Sequence, residues 1–250
     1  RKAVQQAAMN LELSIRGLLR NFGLKMGPIA KGRFEARVQE LTEGNPMLEA
    51  AANPILAVRR ALRQELAGLE KLLRDHARED LVCRKLMTMP GVGAVIALTV
   101  KAAIDDPERF RSSKDIGPWV GLTPRRNQSG ERDIVGQISR AGDAGLRTAL
   151  YQAATVMLHR GRKNWLTAWA LNIAQRRGNK RATVALARRI GVVLHRMWTD
   201  GTDFRFTRKD AAAAAAAYAH FPRHLLSSNT TKKEFGRARW RWFTEVPTRD

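Results

Sequence analysis

The chain has 250 residues, with 45 Lys and Arg against 23 Asp and Glu, giving a net charge of +22. A surface this basic needs a polyanionic partner, nucleic acid by default, and excludes a binding domain for small cations. A hydrophobic share of 44% supports a packed core and excludes disorder as the state of the whole chain.

Residues 3–22 read as an amphipathic helix, with Val4, Ala8, Leu11, Ile15, Leu18, Leu19 and Phe22 at helical spacing and Gly23 as its stop. The stretch 23–32 holds three Gly and one Pro and reads as a connector. A second helix covers 33–42 and is broken by Gly44, Asn45 and Pro46. A third runs over 54–80, its stripe built from Ile55, Val58, Leu62, Leu66, Leu69, Leu72 and Leu73. The two long helices predict an antiparallel coiled-coil-like arm over 1–85, packing either on itself or against a second copy.

From residue 86 the texture changes. A Pro-Gly-Val-Gly turn leads into a helix over Ala94–Ile104, which ends at Asp105–Pro107. A short helix over 112–120 contains Trp119, and residues 121–142 are polar and rich in turns. Helices follow over 143–159, 164–177 and 180–198. Trp165, Trp169 and Trp198 fall with Leu166, Ile173 and Leu194 at helical spacing and read as core anchors. The tail 207–250 holds seven consecutive Ala and then RARWRWF, and reads as an Ala-rich basic extension with little organisation. Strand signals are nearly absent, so the predicted class is all-α.

The single Cys83 cannot form an intrachain disulfide, fits a reducing cytosol and excludes a Cys-based zinc finger. No run of 18 apolar residues is long enough to span a membrane. The N-terminus, RKAVQQAAMN, is not a signal peptide and lacks an initiator Met, which points to a piece of a longer chain. His76, His159, His195, His220 and His224 show no metal-ligand spacing, and Asp105, Asp106 and Glu108 read as a solvated helix end. No metal site is expected within these residues.

The charge is uneven: residues 1–90 carry +6, residues 91–200 carry +11 and residues 201–250 carry +5. The middle segment is therefore the expected nucleic-acid contact. It opens on MPGVGAVIAL, which fits a helix-hairpin-helix element. Gly91 and Gly93 leave the backbone bare, so that N–H groups at the next helix start can hold a phosphate oxygen without reading bases.

PGVGAVIALTVKAAIDDPERFRSSKDIGPWVGLTPRRNQSG, followed by GQISRAGDAGLRTALYQAA, resembles the C-terminal transposase domain of the DEDD-type insertion-sequence transposases. These are the bridge-RNA-guided recombinases often called the IS-one-ten family. The resemblance runs from about residue 4 to about 209, with LSIRGLLRNFGLKMG similar to the start of the family's coiled coil. It implies a serine that attacks a DNA phosphate and becomes covalently linked to it, and the QSG motif assigns that role to Ser129. It also implies a multimer, a structured guide RNA, and Mg²⁺ held by a RuvC-like domain that this chain lacks. The chain alone is thus expected to bind DNA without cleaving it, in a cytoplasmic, nucleoid-associated setting.

Arg125, Arg126 and Arg132 flank Ser129, and Ser139, Arg140 and Arg147 follow in the second motif; all six are candidate DNA contacts with Gly91 and Gly93. Ser139, the competing serine, reads as a helix cap or phosphate ligand. Glu131, Asp133 and Ala141 stand where the family tends to be more basic. Without the resemblance, Ser129 before Gly130 reads as a turn residue, and the chain as a non-enzymatic protein that grips nucleic-acid backbones.

Overall fold

The computed structural model describes residues 1–160 and 164–206, so Arg162, Lys163 and the tail from 207, with its expected Ala-rich helix, lie outside the described residues. The described chain is mainly α, in two compact units, Arg1–His76 and a second that begins at Ala77.

The first unit is built from α1 (Lys2–Asn21), α2 (Phe34–Thr42) and α3 (Pro46–Glu79), whose last residues reach the second unit. Arg1 pairs with Glu70 at 3.1 Å and Arg59 with Glu12 at 2.8 Å, so α1 and α3 run antiparallel. Ile15 and Leu19 of α1, Phe34 and Val38 of α2, and Leu48, Ala52 and Leu56 of α3 form one small core. Arg59 is buried in it, its guanidinium 4.4 Å from the centre of the Phe34 ring.

Helix α3 starts eight residues before the predicted position. The Asn45 side chain accepts from the Leu48 N–H at 3.1 Å, and Pro46 occupies the first helical position, where a missing N–H costs nothing. The same Asn-Pro pair that ends one helix thus starts the next. Pro54 sits inside α3 and deprives one carbonyl a turn earlier of its donor.

In the second unit follow α4 (Leu81–Leu86), α5 (Ala94–Ile104), α6 (Ile116–Trp119), strands β1 (Pro124–Ser129) and β2 (Arg132–Ile138), and helices α7 (Ala144–Arg160), α8 (Trp165–Arg177) and α9 (Asn179–Thr199). Helix α9 is central. It packs along α7 and α8, and α4 and α6 also meet it. Its face of Ala182, Leu186, Ile190 and Leu194 is buried at one residue per turn. Trp165, Trp169 and Trp198 are half-buried against this core, as their spacing predicts.

His195 on α9 is buried and fully engaged. Its Nδ1 lies 2.9 Å from Ser113 Oγ and its Nε2 3.0 Å from the Pro107 carbonyl oxygen. A carbonyl only accepts, so Nε2 carries the proton and Nδ1 accepts from the serine. The Phe110 ring stands edge-on to His195 and to Trp119. The segment between α5 and α6 is thereby fixed to the central helix.

The predicted helical class holds, and the two strands are its one addition among the described residues. They form one antiparallel β-hairpin with Ser129 opposite Arg132, and a bulge between Pro124 and Arg126. Apart from the half-buried Ile138, every strand residue is exposed.

Candidate functional site

Two sequence motifs meet at the base of this β-hairpin. The Ser139 N–H donates to the Thr123 carbonyl at 2.8 Å, and the Arg140 N–H to that of Gly121 at 3.1 Å. Gly121 and Gly142 both have positive φ, and a Cβ on either would sit within the neighbouring backbone, at Ala141 and at Trp119 respectively. Only glycine allows the two segments to cross this closely. Arg147 completes the neck, donating to the carbonyls of Val120 at 2.8 Å and Ala141 at 3.2 Å. Burial, followed by the charge of Arg140, pulls its pKa below the ordinary guanidinium value. Arg140 itself holds φ at 56°, a left-handed conformation that non-glycine residues rarely adopt.

Above the neck the strands project into solvent and end in the two-residue turn Gly130-Glu131. Ser129 is the last residue of β1 and stands exposed beside that turn. Among the described residues, none hydrogen-bonds its hydroxyl. Arg126 is bound bidentately to Asp133 across the strands, at 2.9 and 2.6 Å, and each raises the other's preference for its charged form. Arg125 donates to the Ser139 carbonyl at 3.1 Å. Arg132 lies exposed opposite Ser129. The structure thus gathers Ser129, Arg125, Arg126, Arg132, Ser139, Arg140 and Arg147 on one β-hairpin and its neck. Ser139 does not cap a helix: Asp143 performs that role for α7, accepting from the Leu146 N–H.

Gly91 and Gly93 lie elsewhere. Gly91, at φ 85°, packs on α7, where an added Cβ would come 2.5 Å from the Ala153 carbonyl oxygen. Gly93 is the exposed N-cap of α5, with no side chain capping the helix and open space where a Cβ would go. The first turn of α5 therefore keeps N–H groups with no side-chain cap.

Sequence reasoning misses Ile134 and Val135, which are 54% and 66% exposed and lie opposite Asn127 and Arg126 beside the tip. It also places the charge too coarsely. Residues 91–143 hold eight Lys and Arg against seven Asp and Glu, whereas residues 144–199 hold eleven Lys and Arg and no carboxylate side chain. The surplus therefore resides in residues 144–199, with nine of the eleven cations on α7–α9. Cys83 offers no alternative nucleophile, because burial and then the Asp80 charge push its thiol up to about 11. Among the described residues no three His, Cys, Asp or Glu side chains cluster as metal ligands. No described helix is long and apolar enough to cross a membrane.

The family model described as Transposase IS116/IS110/IS902 family matches residues 83–170, a span that includes the turn after α4, the β-hairpin and its neck. These residues are similar to the transposase domain of that family. Three relatives extend the likeness. The y4pF/y4sB protein of Sinorhizobium fredii, whose name describes it as a transposase, is 32% identical over 75% of this chain. The transposase for insertion sequence element IS1111A of Coxiella burnetii is 28% identical over 76%. A Pseudomonas aeruginosa protein named as a family 20 transposase is 31% identical over 76%. The aligned regions cover 51%, 54% and 59% of those relatives, so the chain spans little more than half their length. Within the transposase domain, the neck joins the GLTPR segment to the ISRAGDAGLR segment, and the only strands among the described residues carry Ser129.

Proposed function

We propose that this chain is the DNA-holding part of an insertion-sequence transposase and presents Ser129 as the nucleophile for strand cleavage. The observation that carries this reading is an exposed serine at the tip of a β-hairpin whose base is clamped by the transposase-domain motifs. Attack by Oγ forms an O–P bond and expels a sugar hydroxyl, leaving DNA covalently attached to the protein. A serine hydroxyl needs a base and charge stabilisation for this step, and the β-hairpin supplies only Arg132 opposite it. The general base, and the Mg²⁺ site that the family resemblance implies, belong to other parts of the assembly. The same resemblance adds a structured guide RNA and a multimer. DNA is contacted through its phosphates, by the uncapped α5 start after Gly93 and by the basic helices.

The test restores a RuvC-like domain to the chain and traps covalent protein–DNA adducts on denaturing gels. Ser129→Ala is expected to abolish the adduct and leave DNA binding largely intact; an adduct that persists overturns the choice of serine and moves it to Ser139. The 250-residue chain alone is expected to bind duplex DNA and leave it uncut in Mg²⁺, and metal-dependent cleavage by it overturns that division of labour.

A second reading, a non-enzymatic protein that grips nucleic-acid backbones, is favoured by the unactivated state of the Ser129 hydroxyl. Under it no adduct forms with any variant, while binding and its salt dependence stay the same.

A further inference from the structure

The nine cations of α7–α9 do not share one role. Arg147 is committed to the neck carbonyls, Arg189 stacks over Trp165 and Trp169 at 5.3 and 5.1 Å, Arg176 donates to the Asn172 carbonyl at 3.2 Å, and Arg196 meets Asp200 at 3.5 Å. On α8 and α9 this leaves Arg177, Lys180, Arg181 and Arg188, all exposed and with no carboxylate partner among the described residues. They run from the end of α8 to the middle of α9. The N-terminus of α9 between them has no side-chain cap and no acidic residue in its first turn.

Arg181 and Arg188 are seven residues apart and share a face of α9. The stem of Arg188 lies over Gly117, its Cγ and Cδ 3.0 and 3.1 Å from where a Cβ on that glycine would be. Gly117 precedes the neck directly, and its carbonyl accepts from the Leu122 N–H at 3.0 Å. Arg188 therefore stands where the basic face of α9 meets the root of the β-hairpin. From Lys180 to Arg188 the helix covers about 12 Å. That is the reach of about three phosphates at about 3.4 Å of duplex axis each.

We propose that Arg177, Lys180, Arg181 and Arg188 form a phosphate track for one DNA strand, leading from the α8–α9 turn to the neck, so that the strand held on α9 is the one offered to Ser129. This rests on the DNA-binding reading above and adds to it a path and a named anchor, Arg188. The track is sequence-independent, because phosphate contacts set register without reading bases.

The test measures binding of the 250-residue chain to a fluorescent duplex of 30 base pairs over a range of salt concentrations. Each lost phosphate contact lowers the slope of log K against log salt by about 0.9, so Arg181→Gln with Arg188→Gln is expected to lower it by about 1.8. Lys2→Gln with Arg20→Gln, an equal loss of two charges on α1, is expected to leave the slope unchanged. Arg188→Lys, which keeps stem and charge, is expected to retain the wild-type slope and so separates lost contact from lost folding. An unchanged slope in the double variant, with the wild type still binding, overturns the track alone. A slope lowered for a matched RNA duplex and not for DNA overturns the choice of strand. A wild-type chain that does not bind duplex DNA overturns the DNA-binding reading itself.

Discussion

Arginine serves opposite ends in the two units. In the first, 13 Lys and Arg are interleaved with eight Asp and Glu, and five of its nine arginines pair with a carboxylate of the same unit. Arg59 and Arg63 share Glu12, Arg60 takes Glu35, and Arg37 takes Glu40. In α7–α9 there is no carboxylate to take, and several arginines stand open to solvent. The number of positive charges therefore says little about function. What matters is how many lack an internal partner, because those can neutralise phosphates and displace the counterions condensed on a polyanion.

This contrast is open to test. The largest effect is expected at the neck on which the second unit's candidate site depends. Gly142→Val drives a branched side chain into the backbone at Trp119 and is expected to cost about 4 kcal/mol, read as a large fall in Tm. Next comes the division between fold and partner. Arg59→Leu, which leaves Glu12 only the 3.7 Å contact with Arg63 and removes the nearer cation over Phe34, is expected to cost about 2–3 kcal/mol of stability with DNA affinity unchanged. If Arg59→Leu weakens DNA binding in a folded protein, the contrast fails.

A smaller effect concerns the one strongly shifted carboxyl among the described residues. The Lys101 ammonium beside Asp80 is the main cause that holds its pKa at about 2 in place of 3.8, with burial opposing and the Cys83 N–H assisting. A depressed folded pKa gives stability that is present above about pH 4 and is lost as pH falls toward 2. Lys101 is 39% exposed, so solvent screening limits the contribution to about 1 kcal/mol. Asp80→Asn is expected to flatten the Tm profile in that window, and an unchanged profile removes the pair from the account of stability. The smallest effect is at Arg126→Gln. Its exposed pair with Asp133 is expected to leave Tm unmoved, so any change in adduct yield reads function alone.

The helices were legible because burial imposes a period. Helix α5 has the predicted bounds, Ala94–Ile104, since an apolar run between a glycine N-cap and the Asp105–Pro107 break allows little else. The early start of α3 was hidden by reading Pro46 only as a breaker, although a cap followed by proline is also a starter. The β-hairpin was not legible as strands. Both its faces meet solvent, so no apolar alternation marks it, and its pairing is anchored by the neck. At the site, the motif order located the serine, but spacing alone could not show that Arg147 is bound to carbonyls, that Arg126 is tied to Asp133, or that Arg188 reaches the neck. Those depend on which segments cross at Gly121 and Gly142, a tertiary fact whose only trace in the sequence is the pair of glycines themselves.

The β-hairpin also has a consequence for how such proteins can diversify. Its strands contribute almost nothing to the core, so residues 125–137 are nearly exempt from the demands that folding makes on the rest of the unit. Drift there is invisible to stability and visible only to whatever the tip touches. The segment is thus placed as a cassette: a chimera that exchanged it at the neck is expected to keep the scaffold of one parent and take the tip chemistry of the other.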